Sequence, residues 1–197
     1  MREQRGFSLL ELLAVLAVVG LALAVAVPNL EEFKRKSDLV RLARQIAADA
    51  LRCRMEALTS CRNVGLVFGD VEDRSYYVMV ADGDDDGVSR ADFVRGVDRA
   101  LGPKVWVHFL SGGTRLGVPA VWRVPDPGGS GILDARGLRV GSSGIMSFSR
   151  TGGATPSSVY FNDGRDRVLA VRVNGEVGRI RALLWRRGWR AWREVRL

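Results

Sequence analysis

The sequence is poor in the residues that most enzymes use to move protons or hold metals: it has one histidine, His108, and two cysteines, Cys53 and Cys61. A transition-metal site or a histidine-based catalytic group therefore has almost no material. Nucleophile-elbow, P-loop and dinucleotide-binding patterns are absent as well. The expectation is a protein that is not an enzyme. His108 alternates with Trp106 and Leu110 in KVWVHFL and reads as a packed or edge histidine on a strand. If both cysteines stay on one helix they lie about 12 Å apart, at a rise of about 1.5 Å per residue. A disulfide needs that helix to end between them; otherwise they read as two small buried hydrophobes. Lysine is scarce too, with only Lys34, Lys36 and Lys104, so arginine carries the positive charge.

What remains is ample for a single core. At 197 residues and 47% apolar composition the chain holds one domain plus an N-terminal segment, and two large domains would not fit. The net charge of +8 is uneven: from Arg165 to Leu197 ten arginines face Asp166, Glu176 and Glu194, which is +7. Such a surface suits anions.

Leu12 to Val27 is sixteen residues without a polar side chain, and there is no second run of that kind. A helix from Phe7 to Leu30 would be about 36 Å long, enough to cross the hydrocarbon core of a bilayer. Arg2 and Arg5 precede it and place the N-terminus on the cytoplasmic side. One acid, Glu11, lies inside this stretch, where an unpaired carboxylate is penalised and is usually kept for a partner. Beyond Pro28, where a kink is expected, Leu39, Leu42, Ala43, Ile46, Ala50 and Leu51 follow the spacing of an amphipathic helix up to about residue 60.

RGFSLLELL followed by an apolar helix resembles the class III signal of type IV prepilins and type II secretion pseudopilins. The resemblance implies a leader, residues 1–6, removed by a prepilin peptidase after Gly6, with N-methylation of the new terminus at Phe7. Residues 7–30 then form a transmembrane and filament-core helix, and residues 31–60 an amphipathic helix joining a head at 61–197. Physically, a freed amino terminus on each neighbouring subunit is a cation, and Glu11 can neutralise it in low dielectric, which favours assembly.

After Leu58 the texture changes to short β-type runs between glycine and aspartate turns. Strands are expected at 63–69, 75–81, 93–98, 104–110, 144–150, 157–163, 167–174 and 178–185, with 189–195 pairing back as a hairpin. The glycine- and proline-rich stretch from Ser111 to Gly144 reads as loop with one short strand. The fold class is thus α+β: a long N-terminal helix packed on an antiparallel, β-rich, pilin-like head.

FSRTGGATPSSVYFND and RVLAVRVNGEVGRIR resemble the C-terminal half of the minor pseudopilin GspH/FimT group. In some FimT-type pilins of naturally transformable bacteria a Gly-Arg-x-Arg motif is associated with DNA binding, and Gly178, Arg179, Ile180 and Arg181 match it. Strand alternation puts Arg179 and Arg181 on one face, about 7 Å apart. Arg186, Arg187, Arg190, Arg193 and Arg196 extend the patch, and Trp185, Trp189 and Trp192 either stack on bases or pack in the hairpin. Asp82, Asp84 and Asp86 have the D-x-D-x-D-G spacing of a calcium loop, but its twelfth position is Phe93. The alternatives are a Ca²⁺ site, with Asp92 or Ser89 as substitute ligand, or a solvated acidic turn.

The expected function is a minor pilin-like subunit anchored in the bacterial inner membrane with its head in the periplasm, later built into a type IV pilus or secretion pseudopilus. Its partners would be other pilins, the peptidase and the membrane. The rivals are a DNA-binding pilin for uptake and a conventionally anchored calcium-binding envelope protein.

Overall fold

The first helix begins at a side-chain cap: the Ser8 hydroxyl accepts the Leu10 N–H at 3.2 Å, and the Glu11 carboxylate reaches back to the Ser8 N–H at 3.0 Å. This reciprocal capping box satisfies two backbone donors that a helix start leaves open. The computed structural model describes residues 8–72, 74–111, 113–129, 131–134, 137–140, 144–175 and 178–196. Helix α1 runs over Leu9–Ser60, and the helical assignment continues through position 28. The chain divides into two units, Met1–Lys36 and Ser37–Leu197.

In the first unit the described apolar residues from Leu9 to Leu30 are exposed. This segment is long and apolar enough to cross a membrane. Exposure of so many large hydrophobics is unfavourable in water.

The second unit contains the rest of α1 and two antiparallel sheets. In chain order, α1 is followed by β1 (Val64–Val71), β2 (Arg74–Ala81), α2 (Arg90–Arg95), β3 (Arg99–Ala100), β4 (Val105–Trp106) and α3 (Val107–Leu110). Then come β5 (Arg115–Leu116), a 3₁₀ turn at Ala120–Trp122, β6 (Leu138–Val140), β7 (Ile145–Phe148), β8 (Ser157–Asn162), β9 (Arg167–Val173), β10 (Ile180–Arg186) and β11 (Arg193–Val195). One sheet has the order β3-β2-β1-β7, with β4 also on β2. The other has the order β11-β10-β9-β8-β5, with β6 also on β8.

Period-2 alternation sorts the strands onto one main core. Leu39, Leu42, Ile46, Ala50 and Cys53 of α1 pack against Leu66, Phe68 and Tyr77 of the first sheet and Phe161, Leu169, Val171 and Leu184 of the second. The strands are buried on their other face too: Val67, Val78 and Val80 pack with Val88 and Ile145, while Tyr160, Val168, Ala170 and Trp185 pack with Val118, Val124 and Leu133. That double burial explains the unbroken apolar runs at the middle of these strands, Val159–Phe161 in β8 and Val168–Val171 in β9.

Two expected strands are corrected. Residues 93–98 belong to α2 and the turn after it, because Ser89 caps the helix by accepting the Asp92 N–H at 3.0 Å and Gly96, at φ 79°, ends it. These caps override a short apolar alternation. Of 104–110 only Val105–Trp106 is strand; the chain then turns into α3, so His108 does not alternate with Trp106 and Leu110. Among the described residues of 111–144 there are two short strands, β5 and β6, where one was expected. Both cysteines are free, and only Cys53 is buried; Cys61 lies just past the end of α1, exposed, at φ 55°.

Candidate functional site

Two places in the molecule gather chemistry: the start of α1 and a groove on the outer face of the second sheet. At the first, Glu11 is exposed and, among the described residues, accepts the Ser8 N–H at the helix start. Gly6 and Phe7 lie outside the described residues.

The groove follows from strand register. Arg172 on β9 stands directly opposite Arg181 on β10, and Ser158 on β8 stands between Arg172 and Arg139 on β6. Neighbouring strands are about 4.8 Å apart, so three arginines and a serine form one cross-strand row. Like charges facing each other across a ladder are unfavourable. The fold offsets this with flanking acids. Arg181 makes a bidentate pair with Glu194 on β11, at 3.0 and 2.7 Å, and Arg139 pairs with Asp126. The Glu194 carboxyl is held below its usual range by that Arg181 bond. Burial pushes Asp126 up, but the Gly128 N–H and Arg139 outweigh it and hold Asp126 below the ordinary range. Arg172 donates to the Ser158 hydroxyl at 3.2 Å.

The resulting groove, about 650 Å³, is lined by Arg172, Arg179, Arg181 and Arg190, with Asp126 as the one acid among the described residues that line it. Pro125 and Trp192 form part of its wall, joined by a hydrogen bond of 2.8 Å from the Trp192 indole N–H to the Pro125 carbonyl. Of the arginines expected to form a patch, the structure brings Arg179, Arg181 and Arg190 together. Arg186 is turned to Asp166, at 2.6 Å, and neither it nor Arg187 lines the groove. Trp185 is buried, with its N–H on the Trp189 carbonyl at 2.9 Å, so it is core and offers no stacking face. Trp189 carries the Arg193 guanidinium over its ring at 4.1 Å.

Gly178 has a structural reason of its own. It is buried at φ 60°, and a Cβ there would lie 3.1 Å from the guanidinium carbon of Arg54 on α1. The glycine thus lets the turn before β10 close over the helix, which positions Arg179 and Arg181.

In the acidic loop, one oxygen from each of Asp82, Asp84 and Asp86 lies within 4.8 Å of the others. Both Asp82 oxygens are occupied: Oδ1 accepts the Asp84 and Asp85 N–H groups, and Oδ2 the Gly87 N–H and the Asn63 amide. Asp92 is occupied by its cap with Ser89 and by Arg95. Asp85 pairs with Arg150 at 2.8 Å. The Asp82 carboxylate thus organises the loop's own backbone, in the manner of an Asx turn.

Residues 1–27 match the family model of the prokaryotic N-terminal methylation motif. The chain carries a type IV pilin-like N-terminal signal. A type IV major alpha-pilin of Moraxella bovis is 38% identical over 48 residues, which is 24% of this chain and 30% of that protein. A fimbrial protein of Pseudomonas aeruginosa is 31% identical over 48 residues, 24% of this chain and 31% of its own length. Fimbrial protein Q of Moraxella bovis is 38% identical over the same length, with 24% of this chain and 31% of that protein covered. The chain thus spans less than a third of the length of these relatives. No solved structure matches it.

Arg172 and Asp126 are the groove residues that sequence reading missed. Arg172 breaks the apolar run RVLAVRVN, which marks it as facing away from the core; its partner across the ladder becomes known only with the register.

Proposed function

We propose that this protein is a minor pilin-like subunit, inserted in the bacterial inner membrane, trimmed after Gly6, N-methylated at Phe7 and then built into a type IV pilus or a type II secretion pseudopilus. The observation that carries this reading is the methylation motif over residues 1–27, continuing directly into an exposed apolar helix. Such a helix needs cover. In the bilayer lipid supplies it; in a filament, sister helices do.

Glu11 has a particular part in that transfer. Its capping bond to the Ser8 N–H engages one carboxylate oxygen, Oε2. A neighbour's Phe7 ammonium would supply the missing counter-charge in a medium where an unpaired charge is costly. The subunit performs no catalysis in this role. Mass spectrometry of the mature protein tests the reading: a chain beginning with methylated Phe7 is expected, and an intact Met1 start in a host with an active prepilin peptidase would refute it. Glu11→Ala should insert in the membrane yet be incorporated poorly; normal incorporation would remove the assigned role.

A second reading, a FimT-like minor pilin that holds DNA during uptake, is favoured by one observation: Arg172, Arg179, Arg181 and Arg190 converge on a single groove. A phosphate chain would relieve the Arg172–Arg181 opposition and take up donors that no base code is needed to read. Arg179→Gln with Arg172→Gln should weaken DNA binding and flatten its salt dependence. Unchanged affinity would exclude the groove.

A further inference from the structure

The arginine row on the second sheet is closed at its two ends by acids that are held in different ways. Asp126, at the Arg139 end, has a side chain only 11% exposed, accepts the Gly128 N–H at 2.9 Å as well as the Arg139 guanidinium, and lines the groove. Glu194, at the Arg181 end, is 48% exposed, and among the described residues its carboxylate bonds to Arg181 alone, at 3.0 and 2.7 Å. It stands on β11, a three-residue strand that pairs with β10 and ends the sheet among the described strands.

The two acids therefore differ in what displacing them entails. Taking Asp126 away strips a backbone donor as well as an arginine, whereas Glu194 can leave Arg181 and turn to water, since an exposed ion pair contributes little net stability. Strand register decides what Arg181 can then share. Arg172 stands directly opposite it on β9, and paired residues on adjacent strands share a face of the sheet. Among the described residues the Arg172 guanidinium donates only to a neutral acceptor, the Ser158 hydroxyl. Strands β9 and β11 flank β10 on opposite sides, so Glu194 holds the Arg181 fork on the side away from Arg172.

We propose that Glu194 is an exchangeable occupant of the Arg181 fork, displaced by a phosphodiester of a nucleic-acid strand that Arg181 and Arg172 then hold together. The inference rests on the reading of this groove as a nucleic-acid site. A carboxylate and a phosphate both present two oxygens that match the parallel N–H donors of a guanidinium, so one replaces the other without changing the fork's geometry. The phosphate can add Arg172, because it arrives from outside the sheet while Glu194 is tethered to the far side of β10. Exchange thus trades one ion pair for two and removes the Arg172–Arg181 opposition. Until a strand arrives, Glu194 keeps Arg181 neutralised and the groove ordered.

The test measures binding of a labelled oligothymidylate of about 16 nucleotides to the full chain in a neutral detergent, across a salt series. Freeing one arginine for a phosphate steepens the salt slope by about 0.7, so at about 0.1 M salt Glu194→Gln, with unchanged circular dichroism, should bind about fivefold more tightly than the parent. Asp166→Asn makes the same change in charge and frees Arg186, which does not line the groove; it should tighten binding by less than about twofold. In an Arg172→Gln background the gain from Glu194→Gln should shrink to under about twofold, because the phosphate then has one arginine to share. No gain from Glu194→Gln, an equal gain from Asp166→Asn, or a gain undiminished without Arg172 would overturn the proposal while leaving the groove reading in place. Arg172→Gln/Arg179→Gln binding as tightly as the parent would overturn that reading, and the proposal with it.

Discussion

Replacing Asp82 by alanine separates a loop organiser from a metal ligand. The carboxylate is buried and accepts four hydrogen bonds: 2.7 Å from the Asn63 amide, 2.9 Å from the N–H groups of Asp85 and Gly87, and 3.2 Å from that of Asp84. The backbone donors sit on a turn that water can reach, so some of the loss is recovered. Counting only the Asn63 amide and one backbone donor as unrecovered, at about 1.5 kcal/mol each for an ionised acceptor, Asp82→Ala destabilises by about 3 kcal/mol. For a unit of this size that lowers Tm by about 6 to 12 °C. Asp82→Asn keeps one acceptor oxygen without the charge and should fall between. Burial pushes the Asp82 carboxyl up, but the Asn63 amide and the loop N–H groups outweigh it and hold it below the ordinary carboxylate range. The stability it contributes is therefore complete above about pH 4 and is lost as pH falls through the lower, folded-state value. Thermal melts followed by circular dichroism across that acid range, in calcium and in chelator, are the assay. Parent Tm should be the same in both. A drop under about 2 °C for Asp82→Ala would refute the hydrogen-bond account, and a chelator-dependent Tm would replace it with a metal site.

Other expectations follow from the same contacts. Gly178→Val should lower Tm and also weaken any anion binding in the groove, because a Cβ at φ 60° meets Arg54 and shifts the turn that carries Arg179; a stable variant with unchanged affinity would separate the two. Leu42→Ala empties a site fully enclosed between α1 and the sheets and should cost about 2 to 5 kcal/mol in urea unfolding; a change under about 1 kcal/mol would mean the core collapses around it. Ser8→Ala removes the cap but leaves the Glu11 charge, so filament incorporation should stay near the parent's while Glu11→Ala loses it; equal loss in both would show that capping, and not charge pairing, is what assembly needs.

The strands were legible wherever burial imposed a pattern. The expected runs at 157–163 and 167–174 match β8 and β9 to within a residue, because both faces of these strands are covered at their centres, Val159–Phe161 and Val168–Val171. The runs at 93–98 and 104–110 were not, because a few apolar residues at alternate positions say less than a serine cap and a left-handed glycine. The groove was half legible. Arg179, Arg181 and, through the expected hairpin at 189–195, Arg190 were legible in sequence, whereas Arg172 shares the groove only because β9 and β10 pair in one register.

Sequence alone determined the elements whose physics is local: the apolar run, the capping box at Ser8 and Glu11, the amphipathic period of the second half of α1, and the surplus of arginine near the C-terminus. Tertiary structure decided which charges meet. Pairing Arg181 with Glu194, turning Arg186 to Asp166, burying Trp185 and closing Asp82 over its own loop all depend on strand register and turn closure between residues far apart in the chain. A one-residue slip in register sends every side chain to the opposite face, so no local pattern of charges specifies which of them share a groove.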